Sequence, residues 1–208
     1  MKNPWEEISL SDYEEHMSLD SVRQLQTLNE MMKGQLNDYP AETVMILGVE
    51  GGNGLEHVQP EKYKTIYGVD INSGYLQAVS ARYRNLSAVL QCLHLNLAEE
   101  YAKLPHAQMV IADLLIEYIG YDVFQKVLCQ VDPAYVSCII QINAGEAQWV
   151  SDSPYLHAFD GLDAVHHPIS DGELTEVMNK AGYRQMKDLS HELPNGKKLA
   201  RIDFVKES

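Results

Sequence analysis

The sequence predicts an α/β fold: a doubly wound, seven-stranded, mostly parallel sheet with a C-terminal antiparallel hairpin, preceded by an N-terminal helical cap. Three observations carry this. Apolar runs alternate with helix-patterned stretches five times, the order that sets parallel strands between helices. The first run, Val44-Met45-Ile46-Leu47, breaks into a glycine-dense turn, Gly48-Val49-Glu50-Gly51-Gly52-Asn53-Gly54. The last two extended stretches, around Tyr183 to Leu193 and Lys198 to Val205, are separated only by Pro194-Asn195-Gly196, a hairpin turn.

From Ser18 to Leu36 the pattern is helical, with Val22, Leu25, Leu28 and Met32 on one face. Gly34 and Asn37-Asp38-Tyr39-Pro40 are expected to end it. Val44 to Leu47 reads as a strand buried on both faces. After the glycine turn Leu55-Glu56-His57-Val58 starts a helix that must be short, because Pro60 cannot occupy its interior. Thr65-Ile66-Tyr67-Gly68-Val69-Asp70 is the second strand, and Asn72-Ser73 caps a helix carrying Leu76, Val79 and Tyr83. Val89 to His94 is a third strand and Ala107 to Ala112 a fourth. Phe124, Val127 and Leu128 mark the next helix, and Tyr135 to Ile142 a fifth strand. Glu146 to Pro168 is aromatic and polar with weak periodicity, a stretch expected to lie over the sheet edge. Ser170-Asp171-Gly172-Glu173 has the form of a capping box opening a helix that runs to Ala181-Gly182.

Glycines after one strand and a carboxylate at the tip of the next make a nucleoside site: backbone approaches the ligand closely, and the acid accepts from ribose hydroxyls. A phosphate-cradling loop would need Lys followed by Ser or Thr, where this chain has Leu55-Glu56. A dinucleotide turn needs a third glycine, where this chain has His57, and Glu50 and Glu56 would face a pyrophosphate. S-adenosylmethionine (SAM) has no phosphate and a cationic sulfur, so it suits an acidic, lysine-free turn best. A structural turn without ligand is the bland alternative.

On Val44 to Gly54, on Gly68-Val69-Asp70-Ile71-Asn72 and on Leu114-Leu115-Ile116-Glu117-Tyr118, the chain resembles the class I SAM-dependent methyltransferases. The last segment is similar to a subgroup of unassigned substrate. The resemblance implies one domain, residues 1–208, with 1–40 a helical cap and 41–208 a Rossmann-like core. Aligned on Gly52 and Gly54, the family's usual acid falls on Gly48 and its first glycine on Glu50, so Glu50 is expected to take over the methionine amino group. By the same resemblance Gly48, Glu50, Gly52, Gly54, Asp70, Ile71, Asn96, Leu97, Asp113 and Leu114 would hold the cofactor. Asn96 would accept from the adenine amine, or be an Asn in an ordinary loop. Glu117 and Tyr118 would stand beside the methyl group, with His16 and Tyr155 as lid contributions and Tyr13 also looking inward. Against these stand a solvent-facing Glu117 that caps a helix, and an exposed cap helix whose histidine does nothing.

Thirty acids against sixteen bases give the 208 residues a formal charge of −14. That balance disfavours DNA or RNA as methyl acceptor and leaves a small molecule. Composition is ordinary for a globular protein, with 45% apolar and 22% charged residues. Cys92, Cys129 and Cys138 are odd in number and sit in apolar context, so they read as buried thiols of a reducing compartment. No signal-peptide core or membrane-length apolar run is present, and a cytoplasmic location is expected. His166-His167 lack a third metal ligand at suitable spacing, and no metal is expected. Two other functions stay open: SAM binding without turnover, and a nicotinamide-dependent oxidoreductase, which the C-terminal hairpin disfavours.

Overall fold

The computed structural model describes residues 2–143 and 149–207; Glu146, where the aromatic segment was taken to begin, lies outside them. Seven strands form one sheet: β1 (Thr43–Leu47), β2 (Thr65–Asp70), β3 (Leu90–His94), β4 (Met109–Asp113), β5 (Tyr135–Ile142), β6 (Tyr183–Glu192) and β7 (Lys198–Lys206). Their order is β3-β2-β1-β4-β5-β7-β6, with the first five parallel and β7 antiparallel to both neighbours. The expected sheet, hairpin included, is therefore present.

Helices cover both faces. On one side α4 (Leu97–Glu100), α5 (Ile116–Val131) and α6 (Asp171–Lys180) pack on Met45, Leu47, Val110 and Val136. On the other, α2 (Gln24–Asp38) and α3 (Ser73–Arg82) pack on Val44, Ile46, Ile66 and Ile111. The alternation along β1 sends Val44 and Ile46 to one layer and Met45 and Leu47 to the other, as the two-residue period of a strand requires. Burying each such side chain contributes about 1.5–3 kcal/mol before entropy is subtracted.

Three expectations are corrected. The helix foreseen over Ser18–Leu36 is α2, which starts only at Gln24: Leu19–Arg23 is not helical, Arg23 takes a left-handed φ of 51°, and Ser18 ends a separate helix, α1 (Leu10–Ser18). Gly34 does not stop α2; a Cβ there would lie 2.4 Å from Arg201 Nη1, so glycine makes room for a buried guanidinium. Between β1 and β2 no α-helix forms. Leu55–His57 and Pro60–Lys62 are single 3-10 turns, and α2 fills the vacated face through Met32 and Leu36. Of residues 1–40, then, α2 belongs to the body of the sheet, while α1 and the turn before it reach the carboxyl ends of the strands.

Smaller readings divide. Asn72 caps α3 by accepting from the amides of Gly74 and Tyr75. Ser170 accepts from Glu173 N, one half of the foreseen box. Only Cys138 is a buried thiol; Cys92 is half-buried and Cys129 exposed, because Cys129 lies on the outer side of α5.

Candidate active site

Every parallel strand ends on the same edge, and a cleft of about 700 Å³ opens there. Gly48, Glu50, Asp70, Ile71, Asn96, Leu97, Asp113 and Leu114 all line it. The turn after β1 is held by backbone and by one side chain. Gly48 N and Val49 N both donate to Val69 O, and Glu50 N donates to Asp70 Oδ2 at 2.9 Å. Glu50 sits at a φ of 50° in the position that the resemblance gives to glycine. Asp70 Oδ1 accepts from Asn72 N at 2.8 Å.

The structure does not bring Gly52 and Gly54 to this cleft. A Cβ on Gly52 would lie 2.7 Å from Tyr83, and one on Gly54 2.4 Å from Met32 Cγ, with φ at +82° and +89°. Both are glycines because the turn is left-handed there and packs on its neighbours. Asn96 caps α4, its Oδ1 accepting from Ala98 N at 3.0 Å, which leaves that oxygen one further lone pair toward the cleft.

A second cavity of about 840 Å³ adjoins the first and shares Trp5, Glu50, Leu114 and Tyr118 with it. Tyr13, His16 and Glu117 line this second space. Glu117 is 6% exposed, which excludes the solvent-facing cap. Its Oε1 accepts from Gln141 N at 2.9 Å, while Oε2 is buried and has no partner among the described residues. His16 is 4% exposed and its Nδ1 pairs with Ser153 Oγ at 2.7 Å. Tyr155 does not join them: its hydroxyl donates to Glu15 outside both cavities.

The electrostatics are one-sided. Burial pushes the Glu50 carboxyl up to about 8; the Tyr13 hydroxyl that donates to it opposes the rise, and the charges of Asp70 and Asp113 add to it. Burial likewise raises Asp113 to about 7 against the donation from Gln35 Nε2 at 2.7 Å, and Glu117 to about 7. Asp70 is raised, again by burial. His16 is pushed down to about 4, by burial and then by Lys197, so it is neutral at pH 7. Among the described residues, no Lys, Arg or His lines the 700 Å³ cleft. Burial favours the neutral forms of these carboxyls, and a bound cation would draw them into their charged forms, so this cleft suits a cation better than a pyrophosphate.

Several lining residues were not singled out from the sequence. Trp5 stacks edge-on against Tyr118 with centroids 4.8 Å apart, and Gln24 and Gln141 line the second cavity, beside Trp149 and His166 of the aromatic stretch that was expected over the sheet edge. Tyr75 lines the first. Trp5 had a signal: it lies beside Asn3, which caps the Pro4–Glu6 turn and docks it over the cleft. Tyr75 sits on the buried face of α3 and is indistinguishable from core by pattern.

No protein-family model matches the chain, and no curated protein matches it in sequence. Solved structures do match. The N-methyltransferase NodS from Bradyrhizobium japonicum WM9, crystallised with S-adenosylhomocysteine (SAH), superposes over 100% of both chains at 8% identity with a TM-score of 0.67. Phosphoethanolamine N-methyltransferase 2 of Haemonchus contortus matches 96% of this chain and 57% of its own, at 11% identity and a TM-score of 0.69. The cyclase SpnF matches 89% of this chain and 83% of its own, at 10% identity and a TM-score of 0.66. At 8 to 11% identity the likeness is one of architecture, and on that footing the chain has the fold of the class I SAM-dependent methyltransferases.

Proposed function

We propose that the protein is a SAM-dependent methyltransferase acting on a small molecule. The observation that carries the reading is the cleft at the carboxyl ends of β1, β2 and β4. Glu50, Asp70 and Asp113 line it, with no cationic side chain among its described residues. The residues fit the cofactor. Asp70 would accept from the ribose hydroxyls, Ile71 and Leu97 would flank the adenine with Asn96 accepting from its amine, and Glu50 would hold the methionine amino group. Asp113 and Leu114 would border the sulfur end. That fold neighbours are crystallised with SAH supports the choice of cofactor.

When bound, SAM supplies a methyl group on a positively charged sulfur, already a good leaving group. The chain's part is to orient and to exclude water. Trp5 and Tyr118 stand where the two cavities meet and would align the acceptor with the cofactor. His16, neutral and seated on Ser153, and Glu117 are the groups able to take a proton from an acceptor that needs to lose one.

The test is turnover. Purified protein incubated with SAM and fractionated small-molecule extract should release SAH with at least one fraction, at a rate that falls in Asp70→Ala. SAM binding without release across all fractions would leave a binding protein and remove the enzyme.

A further inference from the structure

The second cavity carries information about what is methylated. Its polar wall is Glu117, Glu50, Gln24, Gln141, Asn143, Ser151 and two neutral-leaning histidines, and among its described residues no Lys or Arg is present. His16 is lowered to about 4, and His166 is lowered by burial. Lys197, buried nearby, is spent on the Trp149 carbonyl, to which Nζ donates at 2.5 Å, and does not line the cavity. A carboxylate or phosphate would meet two carboxyls and find no Lys or Arg among the described lining residues to receive it.

Glu117 is the unexplained group. It is 6% exposed, one oxygen is satisfied by Gln141 N, and the other has no donor among the described residues. Orphaned buried oxygens are rare and call for a ligand or another reason. The apolar wall beside it is aromatic. Tyr118 packs edge-on against both Trp5 and Trp149, with centroids at 4.8 and 6.1 Å, and Trp149 stacks on His166 at 4.1 Å. Ring faces attract cations most strongly where water is excluded.

We infer that the acceptor is a primary or secondary amine, received as its ammonium by Glu117 against the rings of Trp5, Tyr118 and Trp149. The inference rests on the methyltransferase reading and names the substrate class of that same site. Turning the last torsion of Glu117, or acting through the low dielectric of the cavity, lets the carboxylate stabilise the cation without moving the backbone. The ammonium then gives one proton to the carboxylate. Its freed lone pair forms the N–C bond as the methyl's C–S bond breaks, with that electron pair remaining on sulfur. The proton leaves Glu117 for solvent when the methylated ammonium departs.

The test is calorimetry in saturating SAH with matched probes: n-butylamine, 2-phenylethylamine and tryptamine, each against its alcohol and its carboxylate of similar size. At least one amine should bind tenfold or more tighter than its alcohol, and its carboxylate more weakly still. Glu117→Gln, which keeps an oxygen for Gln141 N, should bring amine and alcohol affinities together while SAH affinity holds. Amines that fail to bind across the series, alcohols or acids that bind as well, or an amine preference unchanged in Glu117→Gln would overturn the inference. If that variant does not fold, the wild-type comparison of amine with alcohol decides alone. Failure of SAH itself to bind would instead defeat the methyltransferase reading, so the two are told apart.

Discussion

The backbone amide of Glu50 donates to Asp70 Oδ2 at 2.9 Å, so the carboxylate that ends β2 also fixes the turn that leaves β1. Asp70 binds Asn72 N with its other oxygen, and Asn72 in turn caps α3. One acid thus joins two strands and a helix at the point where a ribose would lie.

Replacing it separates structure from binding. Asp70→Ala should abolish SAM and SAH binding, by about a hundredfold or more, and lower the melting temperature. The amides of Glu50 and Asn72 would lose their partner at about 1–3 kcal/mol each if they stay buried. Asp70→Asn should recover part of the stability, and its affinity should stay low because its amide nitrogen cannot accept from a hydroxyl. Calorimetry with circular dichroism checks both; a folded Asp70→Asn protein of undiminished affinity would take Asp70 out of the site.

Glu50 is the carboxyl expected at the methionine end, and a bound ammonium would draw it into its charged form. Glu50→Gln should weaken SAM and SAH alike by about tenfold or more, about 1.4 kcal/mol, because both ligands bear the amino group. Tyr13→Phe removes the hydroxyl that donates to Glu50 and so favours its protonated form. That variant should need a higher pH to reach the same affinity. Loss of SAM binding alone, with SAH unaffected, would move Glu50 to the sulfur.

The free protein should lose stability as pH rises from about 6.5 to about 8. Glu50, Asp113 and Glu117 keep protons in the native state up to about 8, 7 and 7, whereas the unfolded chain has released them. The native state therefore binds more protons in this window, and stability falls with pH. Below about 6.5 His16, lowered to about 4, acts in the opposite sense. Above about 8 so does Lys197, lowered to about 8. Thermal melts across the window should show the decline, and saturating SAM should reduce it by supplying a cation to the acids. A melting temperature that rises through the same window would contradict the assignment.

The sheet was legible because its strands are apolar runs punctuated by glycine, proline and helix-patterned stretches, and the acid at Asp70 stood out at a strand tip. Of the cleft's acids, Asp70 and Asp113 close β2 and β4 and Glu50 lies three residues past β1; Asp70 was found as the acid at a strand tip, the other two through the family resemblance. The rest depended on long-range packing. Nothing local shows that Arg23 turns left-handed and delays the start of α2 to Gln24. Nothing local shows that Gly34 admits Arg201, or that Gly52 and Gly54 pack on Tyr83 and Met32. Gln35, on α2, reaches Asp113 at 2.7 Å across 78 residues, a partnership no sequence period encodes.

Gly54 offers a check on that division of labour. Gly54→Ala forces a left-handed residue to carry a Cβ 2.4 Å from Met32 Cγ and should destabilise the fold by about 1–3 kcal/mol. Adding Met32→Ala relieves the contact and not the backbone strain, so rescue should be partial. At a temperature where the variant is folded, SAM affinity should match the wild type; a large loss there would return Gly54 to the ligand.

The most direct test of the account is calorimetric titration of the wild-type protein with SAM, SAH and NAD at pH 7.5. The cationic, phosphate-free nucleoside should bind with one site per chain, SAH should bind there too, and NAD should give no heat. Binding of NAD with no binding of SAM would contradict the claim that the acidic cleft at the sheet edge is built for a positively charged nucleoside.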